Sequence, residues 1–255
     1  MLRIIKERLH QKHRTLDYPK VQPPLSARFC GRPAIAPGTC PEGCTLCADV
    51  CPTGAMQPLG REGMEGPVLD MGRCLFCAAC RNACPQRRIS FTQEHRLSSR
   101  TRQALYINAA STFTRGEGPD VRDLHMFDRS LKLRQVSAGG CNACEADSNV
   151  LTTLTYDLGH FGIDFVASPR HADALAITGP VTENMRAALW DAYIALPEPR
   201  MIIAIGVCAI SGGLFADSPE CHNGIPADMP VDVYIPGCPP NPWTILDGLL
   251  LSRNS

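Results

Sequence analysis

The chain has 255 residues, 44% of them hydrophobic, with 25 Lys+Arg balanced by 25 Asp+Glu and with 14 Cys. That length suits two modest domains, and the apolar content excludes wholesale disorder. The N-terminus, Met1-Leu2-Arg3-Ile4-Ile5-Lys6, carries no apolar leader, and no run approaches the roughly 20 residues that span a bilayer; this much Cys then argues against a secreted disulfide scaffold and for metal binding in a reducing compartment, the cytoplasm.

Residues 1–20 predict a short basic helix, with Leu2, Ile5 and Leu9 near helical spacing. Five prolines between Pro19 and Pro37 predict an extended arm. Two Cys-rich runs follow, Cys40 to Pro52 and Cys74 to Pro85, each closing on Cys-Pro, so the pair forms an internal repeat. Between them Gly60 to Gly72 reads as turns around one strand, Pro67-Val68-Leu69-Asp70. Short segments trail each run, at Thr53–Met56 and Gln86–Phe91. Thr92 to Arg134 has no Cys and reads as a polar, basic linker, partly helical from Ser98 to Ala110, with a break at Arg115–Pro119.

After Val136 the texture changes. A helix is predicted over Asn149–Leu158, and buried strands over Gly162–Val166 and Ala174–Ile177. Glu183–Leu196 predicts a helix with Thr182 as its N-cap, Met201–Ile205 and Val231–Ile235 further strands, and Pro242–Leu251 a last helix opened by Pro. Strands alternating with helices imply a parallel sheet. The expected boundaries are an arm over 1–37, a cysteine-rich domain over 38–94, a linker over 95–134 and an α/β domain over 135–255.

Charge divides with the texture. Residues 1–135 hold 21 Lys+Arg against 12 Asp+Glu, and residues 136–255 hold 4 against 13. A basic half raises nucleic-acid binding as one reading. An all-Cys [4Fe–4S] unit carries about −2 with its thiolates, so two such units would offset much of that excess. The remainder would steer docking onto an acidic partner or onto the acidic half.

The sharpest motif is Cys74-x2-Cys77-x2-Cys80-x3-Cys84-Pro85. Three thiolates at this spacing wrap one face of a cubane, and the fourth reaches another cluster. The partner run, Cys40-x3-Cys44-x2-Cys47-x3-Cys51-Pro52, has a first gap one residue longer than usual, through Pro41-Glu42-Gly43. Loss of Cys40 as a ligand would favour a three-iron cluster. Paired Cys-x2-Cys also binds zinc, the rival reading. The segment Cys40–Phe91 resembles the bacterial two-cluster ferredoxin family. That resemblance implies a ferredoxin-like α+β domain, with Cys40, Cys44, Cys47 and Cys84 on one cluster and Cys74, Cys77, Cys80 and Cys51 on the other.

Cys141-x2-Cys144, Cys208 and Cys238 form a dispersed set. Cys208 and Cys238 each follow a predicted strand, and strand ends converge at one edge of a parallel sheet, where α/β folds place their sites. The four would hold a third [4Fe–4S] cluster; buried free cysteines are the alternative. Cys141–Glu145, Ser168–Asp173, Thr178–Thr182 and Val231–Pro240 are similar to the small-subunit family shared by membrane-bound energy-converting NiFe hydrogenases, including formate hydrogenlyase, and respiratory complex I. The resemblance spans about Leu131 to Leu250. It implies a flavodoxin-like domain whose cluster is the last stop before the active site of a larger partner. Complex I versions carry two adjacent Cys where this chain has Cys141-x2-Cys144, a departure that points to the hydrogenase side.

These readings predict an oxidoreductase subunit, not catalytic alone, that relays electrons through three [4Fe–4S] clusters to or from a NiFe centre in a hydrogenase-like large subunit. Other iron–sulfur or membrane subunits would complete the complex, leaving the chain cytoplasmic and peripheral on the inner face of the membrane. Rivals are a relay in a complex I-like or nickel-free oxidoreductase, and a structural iron–sulfur protein on nucleic acid, for which no helix-turn-helix or aromatic-interleaved basic motif is present. Glu145 is expected either to handle protons beside the third cluster or to act as a helix N-terminal carboxylate. Arg170 and His171 are expected beside the same cluster, or in a structural loop. Cys30 and Cys221 remain as free thiols.

Overall fold

The computed structural model describes residues 2–12, 16–58, 66–111, 113–116 and 130–252. Part of the expected Gly-rich turn, residues 60–65, and part of the basic linker, residues 112 and 117–129, lie outside these residues.

The second half is built on five strands: β6 (Leu131–Ser137), β7 (Ile163–Phe165), β8 (Ala174–Thr178), β9 (Met201–Ile205) and β10 (Val233–Ile235). They lie in the order β10-β9-β8-β6-β7, and every pairing is parallel. Such a sheet must be covered on both faces. Alternate side chains do this: Ala174, Ala176, Met201 and Ile203 pack toward Trp243 and Leu246 of α7 (Pro242–Leu251), while Leu175, Ile177 and Ile202 pack toward Leu189 of α5 (Glu183–Ala195). Asn241 caps α7 by accepting the Trp243 N–H at 3.0 Å.

The first half is smaller and irregular. Helix α1 (Leu2–Gln11) buries no residue, whereas Tyr18 enters the core of the α/β half. Strand β1 (Pro33–Ile35) pairs antiparallel with β4 (Ile89–Phe91). Strands β2 (Met56–Gln57), β3 (Val68–Asp70) and β5 (Tyr106–Ile107) form a second antiparallel sheet. Short helices α2 (Leu46–Asp49) and α3 (Ala79–Ala83) carry cysteines into a core that includes Met56, Leu69, Met71 and Leu105.

Three expectations change. Leu131–Ser137, assigned mostly to the linker, is an inner strand of the main sheet. Ser98–Ala110 holds one 3-10 turn (Gln103–Leu105) and β5 rather than a longer helix, because its backbone groups bond elsewhere: Ser99 and Tyr234 exchange two N–H···O bonds, and Leu105 accepts from Met71. The helix predicted over Asn149–Leu158 lies instead over Ala143–Asn149 (α4). Beyond it the Thr152 and Thr153 hydroxyls bond back to Asn149 and Val150, favouring tight turns.

Candidate iron–sulfur sites

Quartet I comprises Cys40, Cys44, Cys47 and Cys84. Cys47 lies in α2 and Cys84 ends α3, while Cys40 and Cys44 lie on the preceding loop. That loop absorbs its extra residue at Gly43, which takes φ +71°, as Cys44 N–H bonds Pro41 at 3.1 Å. Burial raises the Cys47 thiol pKa, and Cys40, Cys84 and Cys44 push it the same way.

Quartet II comprises Cys51, Cys74, Cys77 and Cys80, so each run lends its last Cys to the other. The segment winds through Phe76 at φ +55° and Ala78 at φ +60°. Phe76 N–H donates to Cys74 Sγ at 3.3 Å, and Ala55 N–H to Cys51 Sγ at 3.2 Å. Burial pushes Cys74 up to about 12 against the relief of the Phe76 N–H, with Cys80, Cys51 and Cys77 adding to the rise. Cys80 is pushed to about 11 by burial first, and it also feels Cys47 of quartet I.

Quartet III comprises Cys141, Cys144, Cys208 and Cys238. Cys141 follows β6, Cys144 sits in α4, Cys208 in α6 (Val207–Ser211) directly after β9, and Cys238 follows β10. All four gather at the carboxyl edge of the sheet. Burial raises Cys144, followed by Cys208, Glu145, Cys238 and Cys141. Burial pushes Cys208 to about 11, with Cys238, Cys141 and Cys221 contributing. Gly206 makes the approach possible: at φ +89°, a Cβ there would stand 2.6 Å from Cys144 Sγ.

This chemistry fits a cationic iron–sulfur core. Each quartet is all-thiol, and buried thiols that repel one another as thiolates are relieved by a core that takes all four in exchange for their protons. Among the described residues no three His, Cys, Asp or Glu side chains gather tightly enough for a single metal ion.

Glu145 is 6% exposed and is turned into the sheet, where it accepts from Ser137 Oγ at 2.5 Å and Thr178 Oγ1 at 2.6 Å. It also lines an open cleft of about 550 Å³ with Arg134, Met185 and Asp191. Arg170 and His171 do not join quartet III. They form an exposed turn just before β8, and the next residues pair with the start of β6, through Asp173 and Lys132. That is the opposite edge of the sheet from the cysteines. Cys221 lies near Cys208, and Cys30 lines a cleft with Phe76 and Cys238.

Quartets II and III meet at the seam between the halves. Leu75 and Phe76 share that cleft with Gly237 and Cys238, and Ile210 packs into the core of the first half. Ser211 Oγ donates to Gly72 O at 2.8 Å. The charge asymmetry is met in part internally, since Arg115 pairs with Asp247. Neither Gly206 nor the Ser211 bond was foreseen; a Gly two residues before a Cys was the available signal for the first, and no local signal marks the second.

Residues 39–88 match the domain described as "4Fe-4S dicluster domain", and residues 141–251 match the family described as "NADH ubiquinone oxidoreductase, 20 Kd subunit". The chain is 41% identical over 124 residues to a probable membrane-bound hydrogenase subunit, mbhJ, of Pyrococcus furiosus, covering 49% of this chain and 74% of that one. It belongs to the 20 kDa subunit family. Formate hydrogenlyase subunit 7 of Escherichia coli is 42% identical over 51% of each chain. An NADH-quinone oxidoreductase subunit of Citrifermentans bemidjiense is 45% identical over 44% of this chain and 65% of its own. The chain is thus an iron–sulfur oxidoreductase subunit related to both hydrogenase and complex I proteins. No helix among the described residues is long and apolar enough to cross a membrane.

Proposed function

We propose that this chain is an electron-relay subunit that passes single electrons to or from the NiFe centre of a separate large subunit, in a membrane-associated complex of the formate hydrogenlyase kind. Three all-cysteine quartets in one chain, with the loops of two of them joined at Gly72 and Ser211, carry this reading. Three [4Fe–4S] clusters bound there would supply one-electron redox chemistry with charge delocalised over each core.

Cys40, Cys44, Cys47 and Cys84 would hold the outer cluster, because most of the loop around Cys40 is exposed. Cys51, Cys74, Cys77 and Cys80 would hold the middle one, and Cys141, Cys144, Cys208 and Cys238 the inner one, facing the large subunit. The apolar wall around Cys74 keeps water from its sulfur, and the Phe76 and Ala55 N–H groups would steady thiolate charge on Cys74 and Cys51. In this reading 38–94 is a ferredoxin-like domain, 135–255 a flavodoxin-like domain, 1–37 an arm that straps the two together and 95–134 the connection. Other iron–sulfur or membrane subunits would feed the outer cluster and hold the complex to the cytoplasmic face.

Similarity to NADH-quinone oxidoreductase subunits supports a second reading, a relay in a complex I-like or nickel-free assembly. The spacing Cys141-x2-Cys144 favours the first. Hydrogen gas added to the complex purified with its large subunit should reduce the clusters, read by EPR. Clusters that respond to another donor but not to hydrogen, in a complex without nickel, would select the second reading. Clusters inert to both would overturn the two together.

A further inference from the structure

Arg88 precedes β4 and is 9% exposed. Its guanidinium is fixed by three bonds to two acceptors. Nε and Nη2 donate to Ala36 O at 3.1 and 2.8 Å, and Nη1 donates to Cys40 Sγ at 3.0 Å. The backbone closes the same clamp, since Ala36 N–H donates to Arg88 O at 2.8 Å. Among the described residues no carboxylate lies within ion-pair distance of Arg88. A buried guanidinium is costly without a counter-charge, and a carbonyl supplies hydrogen bonds but no charge. Cys40 Sγ stands beside it, and a cysteine that ligates a cluster does so as the thiolate.

The contrast with quartet II gives the bond its meaning. Cys51 and Cys74 accept neutral backbone N–H groups, whereas Cys40 accepts a permanent cation. Cys40 also stands at the lengthened gap, on an exposed loop where the backbone alone holds a ligand least firmly. A charge-assisted bond is about twice as strong as a neutral one. It also stabilises the reduced, more negative state of a cluster more than the oxidised state, which raises the reduction potential.

We propose that Arg88 is a positioning residue for the outer cluster: it orients the Cys40 sulfur across the extra residue and sets the potential of that cluster above the value its thiolates alone would give. This rests on the reading that quartet I carries a [4Fe–4S] cluster. It would make the most exposed cluster the one that collects electrons from an external donor.

The test is an EPR-monitored redox titration of the purified full chain beside Arg88→Gln and Arg88→Lys, with iron counted in each. In Arg88→Gln one couple should move to lower potential while the other two stay in place and iron is retained. Arg88→Lys, which keeps the charge and loses the planar fork, should recover part of the shift. Three unmoved couples at full iron in Arg88→Gln would overturn the proposal. If Arg88→Gln sheds the cluster, Arg88→Lys decides: a lowered couple at full iron supports the role, and an unmoved couple overturns it. Loss of about four iron in both variants would leave Arg88 a fold-holding residue and overturn it as well. A wild-type chain with no cluster at quartet I would place the failure in the functional reading instead.

Discussion

Ser211 Oγ donates to the Gly72 carbonyl at 2.8 Å, joining the helix that carries Cys208 to the loop that leads into Cys74. The same hydroxyl lies 3.1 Å from Val207 O within its own helix, so its one proton is shared between the two carbonyls, with Gly72 the nearer. Two cysteine-bearing segments from different halves are thereby held in fixed relation. Ser211→Ala should cost about 1 kcal/mol, a fall of roughly 2–4 °C in thermal midpoint, with all iron retained. It should also weaken the magnetic interaction between two reduced clusters in EPR. An unchanged interaction would detach the relay from this seam.

Gly206 has no room for a side chain. Its φ of +89° disfavours any L residue, and a Cβ would press on Cys144 Sγ. Gly206→Ala should release about four iron, one cluster's share, and leave the signals of the first half intact. Full iron in the purified variant would show that the close approach of Gly206 to Cys144 is not needed for a cluster at quartet III.

Arg102 grips Asp70 with two bonds of 2.7 and 2.5 Å, and Asp70 Oδ1 also accepts the Gly72 N–H at 2.8 Å. Asp70 is 1% exposed, so removing the guanidinium strands a buried carboxylate beside the seam. Arg102→Ala should cost about 3 kcal/mol, the low end for a broken buried pair because Arg102 is partly open to solvent. Asp70→Leu combined with Arg102→Met should be less destabilised than Arg102→Ala in a thermal melt. A double variant that melts lower would contradict this account.

His95 lies in a buried chain with Tyr18 and Asp247. The Tyr18 hydroxyl donates to Asp247 Oδ1 at 3.1 Å, which leaves its oxygen to accept from His95 Nε2, also at 3.1 Å. Burial lowers the His95 pKa, against the pull of Asp247 and Glu94. A histidine held neutral in the fold costs stability as pH falls, because the unfolded chain takes up its proton first, from about 6.5 downward. The thermal midpoint should drop between pH 7.5 and about 5.5, and His95→Gln should lose that component of the drop. Parallel curves for the two proteins would exclude it.

The sequence carried the parts of the fold whose signals are local. Met201–Ile205 is apolar throughout because both its faces are covered, and Pro242–Leu251 opens with the residue that suits a first turn. Leu131–Ser137 was hidden by Lys132, Arg134 and Gln135, which read as linker although Leu131, Leu133 and Val136 are buried. Lys132 resolves the conflict by reaching Asp164 on the neighbouring strand. The cysteines that lie near one another were legible because metal chemistry, the basis of their grouping in sequence, predicts ligand spacing. Arg170 and His171 misled because they lead into the amino end of β8, while the cysteines gather at the carboxyl ends of the strands. Arg88 was silent because its partner lies 48 residues away and only the β1–β4 pairing brings them together.

The most direct test of three cysteine quartets serving as an electron relay is an iron and acid-labile sulfide count on the anaerobically purified chain, with EPR during a reductive titration. The account predicts about twelve iron, matching sulfide and signals from interacting reduced clusters. Zinc without sulfide would contradict it.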